Sequence, residues 1–360
     1  MGILRAYRLD LRRNKGPGLR GTSQGNAVTG RSAREFVLTP WLDIRGRFRT
    51  VALRGTIAKV TLRSATLLVL VSSPIVAGES VTHPFAGITL IRRTETNPRP
   101  LVIHLAKVDL TAPRLSFELT GPSSGGTRET VRQTTLDFLN ERRAQLAVNA
   151  HFFVPFPSAE PDSNLVGLAA SGGKVYSTFE TPAQSYAIVA DAPALNLDRS
   201  NRARIVSRAQ RELVELWNTI SGSAQIVTRG TASIPRYRDG DNPLALLAPG
   251  GPAPYDSTHS WYAIPNARTI AGLAAGGRTL ILFTVDNAGG SRGLTVDEAA
   301  EMLIRDYAVD EALNLDGGGS TTMVIEDPVT HTGRIVNAPS GGQQGRAVGS
   351  NLAVFVTVPR

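Results

Sequence analysis

Cysteine is absent from the 360 residues of the chain. This absence excludes disulfides, thiol nucleophiles and thiolate metal sites. The five histidines are dispersed, and no two of them have the spacing that places a pair of zinc ligands on one face of a helix or strand. A phosphate-binding loop that ends in Lys followed by Ser or Thr is also missing. The sequence therefore gives no support for a zinc enzyme or a P-loop nucleotidase.

Acidic residues are scarce in the first 78 positions, which hold 14 Lys+Arg against 3 Asp+Glu. Residues 79–360 hold 25 Lys+Arg against 27 Asp+Glu, so the formal charge of +9 comes from the N-terminal segment. The basic residues of 79–360 are scattered along the sequence and do not form a patch. We therefore expect no binding to nucleic acid.

Long hydrophobic runs are rare, and the clearest is the uncharged segment Ala65–Ala77, which is too short to span a bilayer comfortably. Basic residues precede it, so we interpret 51–78 as a signal peptide, with a buried hydrophobic strand as the alternative. Residues 1–50 are rich in Arg and Gly and are interpreted as disordered, or as an upstream extension from a mis-assigned start. An exported chain without cysteine suits a bacterial periplasm or cell exterior, with no stable membrane span in the mature chain.

Alternating apolar residues predict many short strands in residues 79–360, which we expect to form a single domain. The class is α+β, with a mixed, mostly antiparallel β-sheet core and a few packed helices. A long loop is expected over Arg236–Ser260. Predicted strands lie within Pro84–Leu119 (three strands), Gln145–Phe153, Val166–Val175, Ser185–Val189, Ile226–Thr228, Thr269–Gly272, Thr279–Val285, Ala312–Leu315, Thr321–Ile325 and Asn351–Thr357. Predicted helices lie within Thr127–Ala144, where Thr134 is a capping residue, Asn201–Ile220 and Thr295–Tyr307.

A carboxylate followed by three glycines and three hydroxyl residues stands at the end of a predicted strand. The segment reads Asp316, Gly317, Gly318, Gly319, Ser320, Thr321 and Thr322. Glycines are retained where the backbone takes a positive φ or a ligand approaches closely, and successive N–H groups in such a turn bind anions. Donors for a phosphate and a carboxylate for the attached sugar would then lie side by side. A tight β-hairpin in which Asp316 caps the turn is the alternative.

Two charged residues flank neighbouring predicted strands. Asp286 ends the apolar strand Thr279–Val285, where a side chain is delivered into a cleft, although the same residues also suit an ordinary turn. Arg268 heads the preceding strand, and its guanidinium there has the geometry for a bidentate phosphate contact. A surface arginine is the alternative.

Three further polar residues are candidates for substrate contacts. Asn149 and His151 end a predicted strand and face the same side of it. His151 is a candidate general acid or base, whereas a hydrogen-bonded histidine near the core is the alternative. Arg346 is a second candidate for binding phosphate.

Together these segments resemble the phosphodiester glycosidase family. The resemblance is densest over Ala267–Val324, where Leu313–Thr321 is similar to the family's NLDGGGS core and Phe283–Asp286 to its strand ending in Asp. Fainter similarity extends over about 84–358. The family often has a small Gly where this chain has His151, which would narrow the pocket or alter the sugar accepted. Arg236–Ser260 has no clear counterpart in the family.

The resemblance implies an exported hydrolase that cleaves the glycosidic C–O bond of a sugar-1-phosphodiester, with cell-envelope glycans as expected substrates. It assigns Asp316 and Asp286 to the oxocarbenium-like centre or to the attacking water. The phosphate would contact Arg268 and the backbone of Gly317–Ser320, and sugar hydroxyls would contact Asn149 and Ser320. Thr321, Arg346 and His151 complete the expected substrate contacts.

Two other functions stay open at the level of sequence. One is a carbohydrate-binding or envelope protein that has the fold but no catalysis. The other is a metal-dependent phosphodiesterase that cuts the P–O bond, with Asp286 and Asp316 as ligands of a divalent cation. The sequence identifies no definite cofactor.

Overall fold

Strands dominate the part of the chain that the computed structural model describes, residues 77–179 and 185–356. Within these residues the two α-helices are Thr135–Arg142 and Val296–Tyr307, and short 3₁₀ segments lie at Arg208–Leu213, Trp261–Ala263 and Gly318–Ser320. The predicted extension 1–50 and residues 51–76 of the predicted signal peptide lie outside the described residues. No helix in 77–179 or 185–356 is long and apolar enough to cross a bilayer.

The largest sheet has eight strands in the described part of the chain. In spatial order they are Gly78–Phe85, Ile88–Glu95, Leu101–Asp109, Thr279–Val285, Arg268–Ala274, Val309–Asn314, Ala224–Thr228 and Thr231–Ala232. Ile281, Phe283 and Val285 pack in one core cluster with helix Val296–Tyr307, whereas Leu280 and Leu282 pack in a second cluster. Because alternate side chains of a strand point to opposite faces, this apolar run marks a strand that is covered on both sides.

A second sheet covers the face that carries Leu280 and Leu282. Its five strands, in spatial order, are Gly333–Ile335, Met323–Glu326, Leu146–Asn149, Asn351–Phe355 and Ser116–Leu119. Leu146 and Val148 pack with the first sheet, while Ala147 packs with helix Thr135–Arg142. The order of layers is therefore helix, sheet, sheet, helix.

Two smaller sheets complete the described residues. One has the strand order Lys174–Ser177, Ala169–Ser171, Asn218–Ser221, Ala194–Leu197 and Ala203–Val206, and the other has Thr130–Val131, Asp162–Leu165 and Phe153–Val154. Every strand pairing among the described residues is antiparallel, and the parallel contact is an isolated bridge between Tyr237 and Leu247. The predicted α+β class is confirmed only broadly, because the fold is dominated by antiparallel sheet.

The predicted helix over Asn201–Ile220 is wrong. Ala203–Val206 and Asn218–Ser221 are strands that both pair with Ala194–Leu197. The apolar residues of this segment fit a helical period by chance, and Leu213, which a helix would bury, is 79% exposed. Pairing of both strands with Ala194–Leu197 supplied the hydrogen bonds that decided the structure.

Other element predictions differ in bounds or in type. Ser185–Val189 forms turns and bends where a strand was predicted. Val166–Val175 contains one complete strand and the start of another, because Gly167, Gly172 and Gly173 adopt positive φ and turn the chain. Thr134 caps its helix by accepting a hydrogen bond from the Asp137 backbone N–H, as predicted.

Candidate active site

The segment Leu315–Thr322 connects the two packed sheets. It leaves strand Val309–Asn314 of the first sheet and enters strand Met323–Glu326 of the second. The Asp316 backbone N–H donates to the Ala150 carbonyl at 3.0 Å, and the Gly318 N–H donates to the Ala267 carbonyl at 2.8 Å. The segment is thereby attached to neighbouring backbone on both sides.

A side chain is disfavoured at each of the three glycines, for a different steric reason at each position. Gly318 has a φ of +58°, a left-handed conformation that favours glycine. A Cβ on Gly317 would lie 2.8 Å from the Ala267 carbonyl oxygen, and a Cβ on Gly319 would lie 2.2 Å from Nη2 of Arg346. The glycines therefore let the backbone and one guanidinium approach this segment closely.

A cavity of about 410 Å³ opens over this segment. Its polar lining consists of Asn266, Asp316, Gly317, Gly318, Gly319 and Arg346, and its remaining lining of Phe152, Phe153, Val154, Phe156, Pro157, Val166, Tyr186, Ile188, Pro252 and Trp261. A mostly apolar cavity with a few convergent polar groups is typical of a small-molecule site.

Asp316 is the carboxylate of this cavity. It accepts hydrogen bonds from the Ser320 hydroxyl and the Gly317 backbone N–H, and it faces Arg346. Burial nevertheless raises the pKa of Asp316 to about 7, because the loss of water around the charge outweighs these stabilising contacts. A carboxyl group with this pKa changes its protonation near neutral pH, as a general acid or base requires.

Arg346 is the cation beside Asp316. Its Nη1 donates to the Ser320 hydroxyl oxygen at 3.2 Å, and its Cζ lies 4.6 Å from the centre of the Phe156 ring. In 77–179 and 185–356 no carboxylate oxygen lies within 4.0 Å of its guanidinium nitrogens. The half-buried guanidinium is therefore available to an anion in the cavity.

Asn149 holds the backbone of Asp316 in place through hydrogen bonds. Its Nδ2 donates to the Asp316 carbonyl at 2.6 Å, while its Oδ1 accepts from the Thr269 hydroxyl at 2.8 Å and from the Thr322 N–H at 3.1 Å. The side chain is fully buried and does not line the cavity. Asn149 therefore positions the segment, and the expected contact with a sugar hydroxyl does not fit this location.

Asp286 lies behind the segment and is not part of the cavity lining. It is 1% exposed, its Oδ1 accepts from Asn337 Nδ2 at 2.8 Å, and burial raises its pKa. The same Asn337 Nδ2 donates to the Thr321 carbonyl at 3.1 Å. Its Oδ2 has no hydrogen-bond partner among the described residues and lies 3.8 Å from His104 Nδ1. Asp286 therefore reaches the segment through Asn337, and the structure does not place the two acids on opposite sides of one cleft.

His151 is a buried histidine of the core. Its Nδ1 lies 2.9 Å from the Ser350 hydroxyl oxygen, and its Nε2 accepts from the Ser221 N–H at 3.0 Å. Burial lowers its pKa to about 4, so the ring is neutral at physiological pH. It does not line the cavity, so it is placed neither to act on a substrate nor to narrow the pocket.

Arg268 is also buried rather than exposed to the cavity. It is 2% exposed, its Nε and Nη2 donate to the carbonyls of Leu294 and Ile264 at 3.2 and 2.5 Å, and burial lowers its pKa to about 10. Its Cζ lies 4.9 Å from the ring centre of Trp261, which does line the cavity. Arg268 thus lies behind Trp261 and does not line the cavity, a position that does not fit the expected direct contact with phosphate.

Ser320 and Thr321 are both buried at the end of the segment. Ser320 links Asp316 to Arg346 through its hydroxyl group, whereas the Thr321 hydroxyl has no hydrogen-bond partner in the described part of the chain.

Asn266, Trp261 and Tyr186 line the cavity although the sequence did not single them out. The Asn266 Oδ1 accepts from the Ala267 N–H at 2.8 Å, and its Nδ2 lies beside Gly318. Aromatic side chains beside glycine turns suggest ligand contacts in principle, but sequence alone does not show which aromatics share a cavity.

The long loop Arg236–Ser260 builds the wall that carries Tyr186 and Trp261. The Tyr237 hydroxyl donates to the Tyr186 carbonyl at 2.7 Å and accepts from the Trp261 N–H at 3.0 Å. A Cβ on Gly251 would lie 2.7 Å from the Tyr186 ring, so the glycine makes room for it. The loop is irregular, as predicted, and it contributes Pro252 to the cavity.

The family model of the phosphodiester glycosidases, NAGPA, matches residues 142–355. The chain belongs to the phosphodiester glycosidase family. The match includes Asp316, Arg346 and all the other candidate residues of the site. No curated protein matches the sequence.

Solved structures of other proteins are similar in fold to this chain. One is the catalytic domain of zebrafish N-acetylglucosamine-1-phosphodiester alpha-N-acetylglucosaminidase, auto-inhibited by its pro-peptide, with a TM-score of 0.50 and 18% identity over 79% of this chain and 85% of that chain. Another is a protein of Burkholderia pseudomallei K96243 that is named as exported, with a TM-score of 0.51 and 14% identity over 78% of this chain and 97% of that chain. At identities of 18% and 14% the similarity shows a shared fold alone.

Proposed function

We propose that this protein hydrolyses the glycosidic C–O bond of a sugar-1-phosphodiester. The observation that carries the proposal is the pairing of Asp316 with Arg346 through Ser320 in one cavity. A carboxyl group and a cation suit the two halves of such a substrate, the anomeric carbon and the phosphate. Membership of the phosphodiester glycosidase family supports the same reaction.

The chemistry follows from the leaving group. When the C1–O bond breaks, the phosphate oxygen keeps the electron pair and the phosphate leaves as a monoester. This anion is already stabilised, so Arg346 contributes more than a general acid would. The N–H groups of Gly317, Gly318 and Ser320 already donate to Asp316, Ala267 and Gly317, so they do not bind the phosphate as the sequence led us to expect. Asp316 stabilises the positive charge that develops at C1 and accepts a proton from the water that attacks it.

The buried residues behind the cavity position these groups. Asn149 holds the Asp316 carbonyl, Asp286 acts through Asn337 on the Thr321 carbonyl, and Arg268 supports the Trp261 ring. Preorganised groups cost no reorganisation during the reaction, which is why such supports affect rate.

The decisive experiment is turnover of a panel of sugar-1-phosphodiesters, including cell-wall fragments, by the wild type and by Asp316→Asn. The variant is expected to lose at least about 100-fold in kcat, while Asp241→Asn, an exposed aspartate, serves as the matched control. If Asp316 is the base, kcat/KM of the wild type rises with pH through about 7. Binding without turnover of any substrate would favour a carbohydrate-binding protein instead.

A metal-dependent phosphodiesterase is the second candidate function, and the position of bond cleavage distinguishes it from the proposed glycosidase. Residues 77–179 and 185–356 contain no group of three or more His, Asp or Glu side chains placed to share a metal ion. In labelled water the proposed reaction puts the heavy oxygen on the sugar. Label in the phosphate, together with loss of activity on chelation, would overturn the proposal.

We further propose that the protein is exported and acts on cell-envelope glycans. The support is the uncharged run Ala65–Ala77 behind a basic segment, together with the lack of cysteine. Mass spectrometry of the mature protein from a periplasmic or culture fraction should give an N-terminus near residue 78. A mature chain that retains residues 1–50 would contradict this.

A further inference from the structure

Phe156 is a large hydrophobic side chain that is 45% exposed at the edge of the cavity. Its ring lies 5.9 Å from that of Phe153 in an edge-to-face arrangement, and the Arg346 guanidinium stacks on it at 4.6 Å. An exposed ring held between two neighbours is a preformed surface, so a ligand does not have to order it on binding.

The segment that carries Phe156 is fixed by a single arginine. The Arg132 guanidinium donates to the carbonyls of Pro155, Ser158 and Asp162 at 2.6, 3.1 and 3.1 Å. Its Cζ also lies 5.1 Å from the ring centre of Phe153. Arg132 therefore holds the backbone on both sides of Phe156 and supports the aromatic ring beneath it.

Arg346 lies between this ring and Asp316. Its guanidinium contacts Ser320 on one side and stacks on Phe156 on the other. A phosphodiester bound by Arg346, with its sugar carbon toward Asp316, directs its second ester oxygen away from Asp316 and toward Phe156. The group on that oxygen is the aglycone, which leaves with the phosphate.

The wall on that side offers no hydrogen-bonding side chain apart from Arg346. The lining residues of this stretch are Phe152, Phe153, Val154, Phe156 and Pro157. Aglycone hydroxyls packed against them would lose water without gaining a partner, which is unfavourable. An apolar group would instead gain from removing its surface and that of Phe156 from water.

We propose that this wall is an aglycone subsite for an apolar alcohol, such as an isoprenoid or alkyl chain, attached to the phosphate. The proposal rests on the proposed function for the orientation of the phosphodiester. It places a polar phosphate at Arg346 and a hydrocarbon chain on Phe156, so that charge and apolar surface on the ligand match those on the protein.

The test uses phosphate monoesters, which have no glycosidic bond and so report on the subsite independently of turnover. Calorimetry of the full chain would compare hexyl phosphate, methyl phosphate and glycerol phosphate. Each buried methylene contributes about a fourfold gain in affinity, so we expect hexyl phosphate to bind at least about 10-fold more tightly than methyl phosphate. Phe156→Ala should bring this ratio close to one, whereas Phe156→Leu should keep most of it.

Leu244→Ala is the control, because Leu244 is 92% exposed and does not line the cavity. It should leave the ratio unchanged, and Arg346→Ala should weaken all three ligands. Equal affinity for hexyl and methyl phosphate, or a ratio insensitive to Phe156→Ala, would overturn the subsite. Tighter binding of glycerol phosphate than hexyl phosphate would overturn it in favour of a hydroxylated aglycone. Hydrolysis of the sugar-1-phosphodiester panel tests the proposed function separately, and either result can stand without the other.

Discussion

Gly319→Ala is expected to displace the Arg346 guanidinium, which we propose binds the phosphate, while both charged residues of the cavity stay unmutated. An added Cβ would lie 2.2 Å from Nη2 and 2.7 Å from Cζ of Arg346, distances that real side chains do not tolerate. The obstacle is the end of a flexible side chain, so Arg346 can move away and the fold can persist. The variant should therefore fold normally with its guanidinium displaced from the cavity.

The size of the effect follows from the contact that is lost. A hydrogen bond to a charged group contributes about 1.5–3 kcal/mol, which corresponds to a loss of about 10- to 150-fold in kcat/KM. The free energy of unfolding should change by less than about 1 kcal/mol. Gly317→Ala gives the opposite pattern, because its Cβ would meet the Ala267 carbonyl oxygen at 2.8 Å and backbone cannot move aside cheaply. Gly317→Ala should be destabilised by about 1–3 kcal/mol.

A double-mutant cycle tests the reasoning. Gly319→Ala added to Arg346→Ala should cost nothing further in kcat/KM, because the side chain that it displaces is already gone. Gly240→Ala is the matched control, since no atom lies within 4 Å of its added Cβ. A loss from Gly319→Ala that is as large in the Arg346→Ala background as in the wild type would refute the mechanism, as would its unfolding at ambient temperature.

Three other predictions concern stability and are measured by denaturant unfolding. The folded state keeps the Asp316 proton up to about pH 7, whereas the unfolded chain releases it near pH 4, so the stability of the wild type falls as pH rises between these values. Asp316→Asn should therefore be more stable than the wild type by about 2 kcal/mol at pH 8. A stability difference that does not grow from pH 5 to 8 would contradict this. Because the pKa of His151 is lowered to about 4, its contribution to stability is lost as pH falls from about 6.5 to 4. His151→Gln should make this loss of stability smaller and should not shift the pH dependence of kcat/KM above pH 6. Asn149→Ala should lose about 2–3 kcal/mol because two buried donors lose their acceptor. Asn149→Asp should not restore this loss, because a buried carboxylate oxygen would face the Asp316 carbonyl oxygen where Nδ2 now donates.

Local signals in the sequence were enough to predict three features: the long apolar strand Thr279–Val285, the capped helix beginning after Thr295 and the glycine segment after Asp316. Each depends on neighbours within a few residues: alternation, a capping box, or an acid followed by glycines. The predicted helix over Asn201–Ile220 failed because its competitor was pairing with strand Ala194–Leu197, which lies just before the segment in which the helical period was found. Strand formation depends on the partner strand as well as on the period of the segment itself.

The roles of the polar residues were decided by burial, which is a property of the whole fold. From the sequence we could predict the family, which the family model confirms, and a candidate site centred on Asp316 and its glycines, because that motif is contiguous. Only the tertiary structure showed that Asp286, Asn149, His151 and Arg268 lie behind the cavity while Arg346, Asn266 and Phe156 line it. A strand end can face a cleft or the core with the same residues, and the layer packed against it settles which.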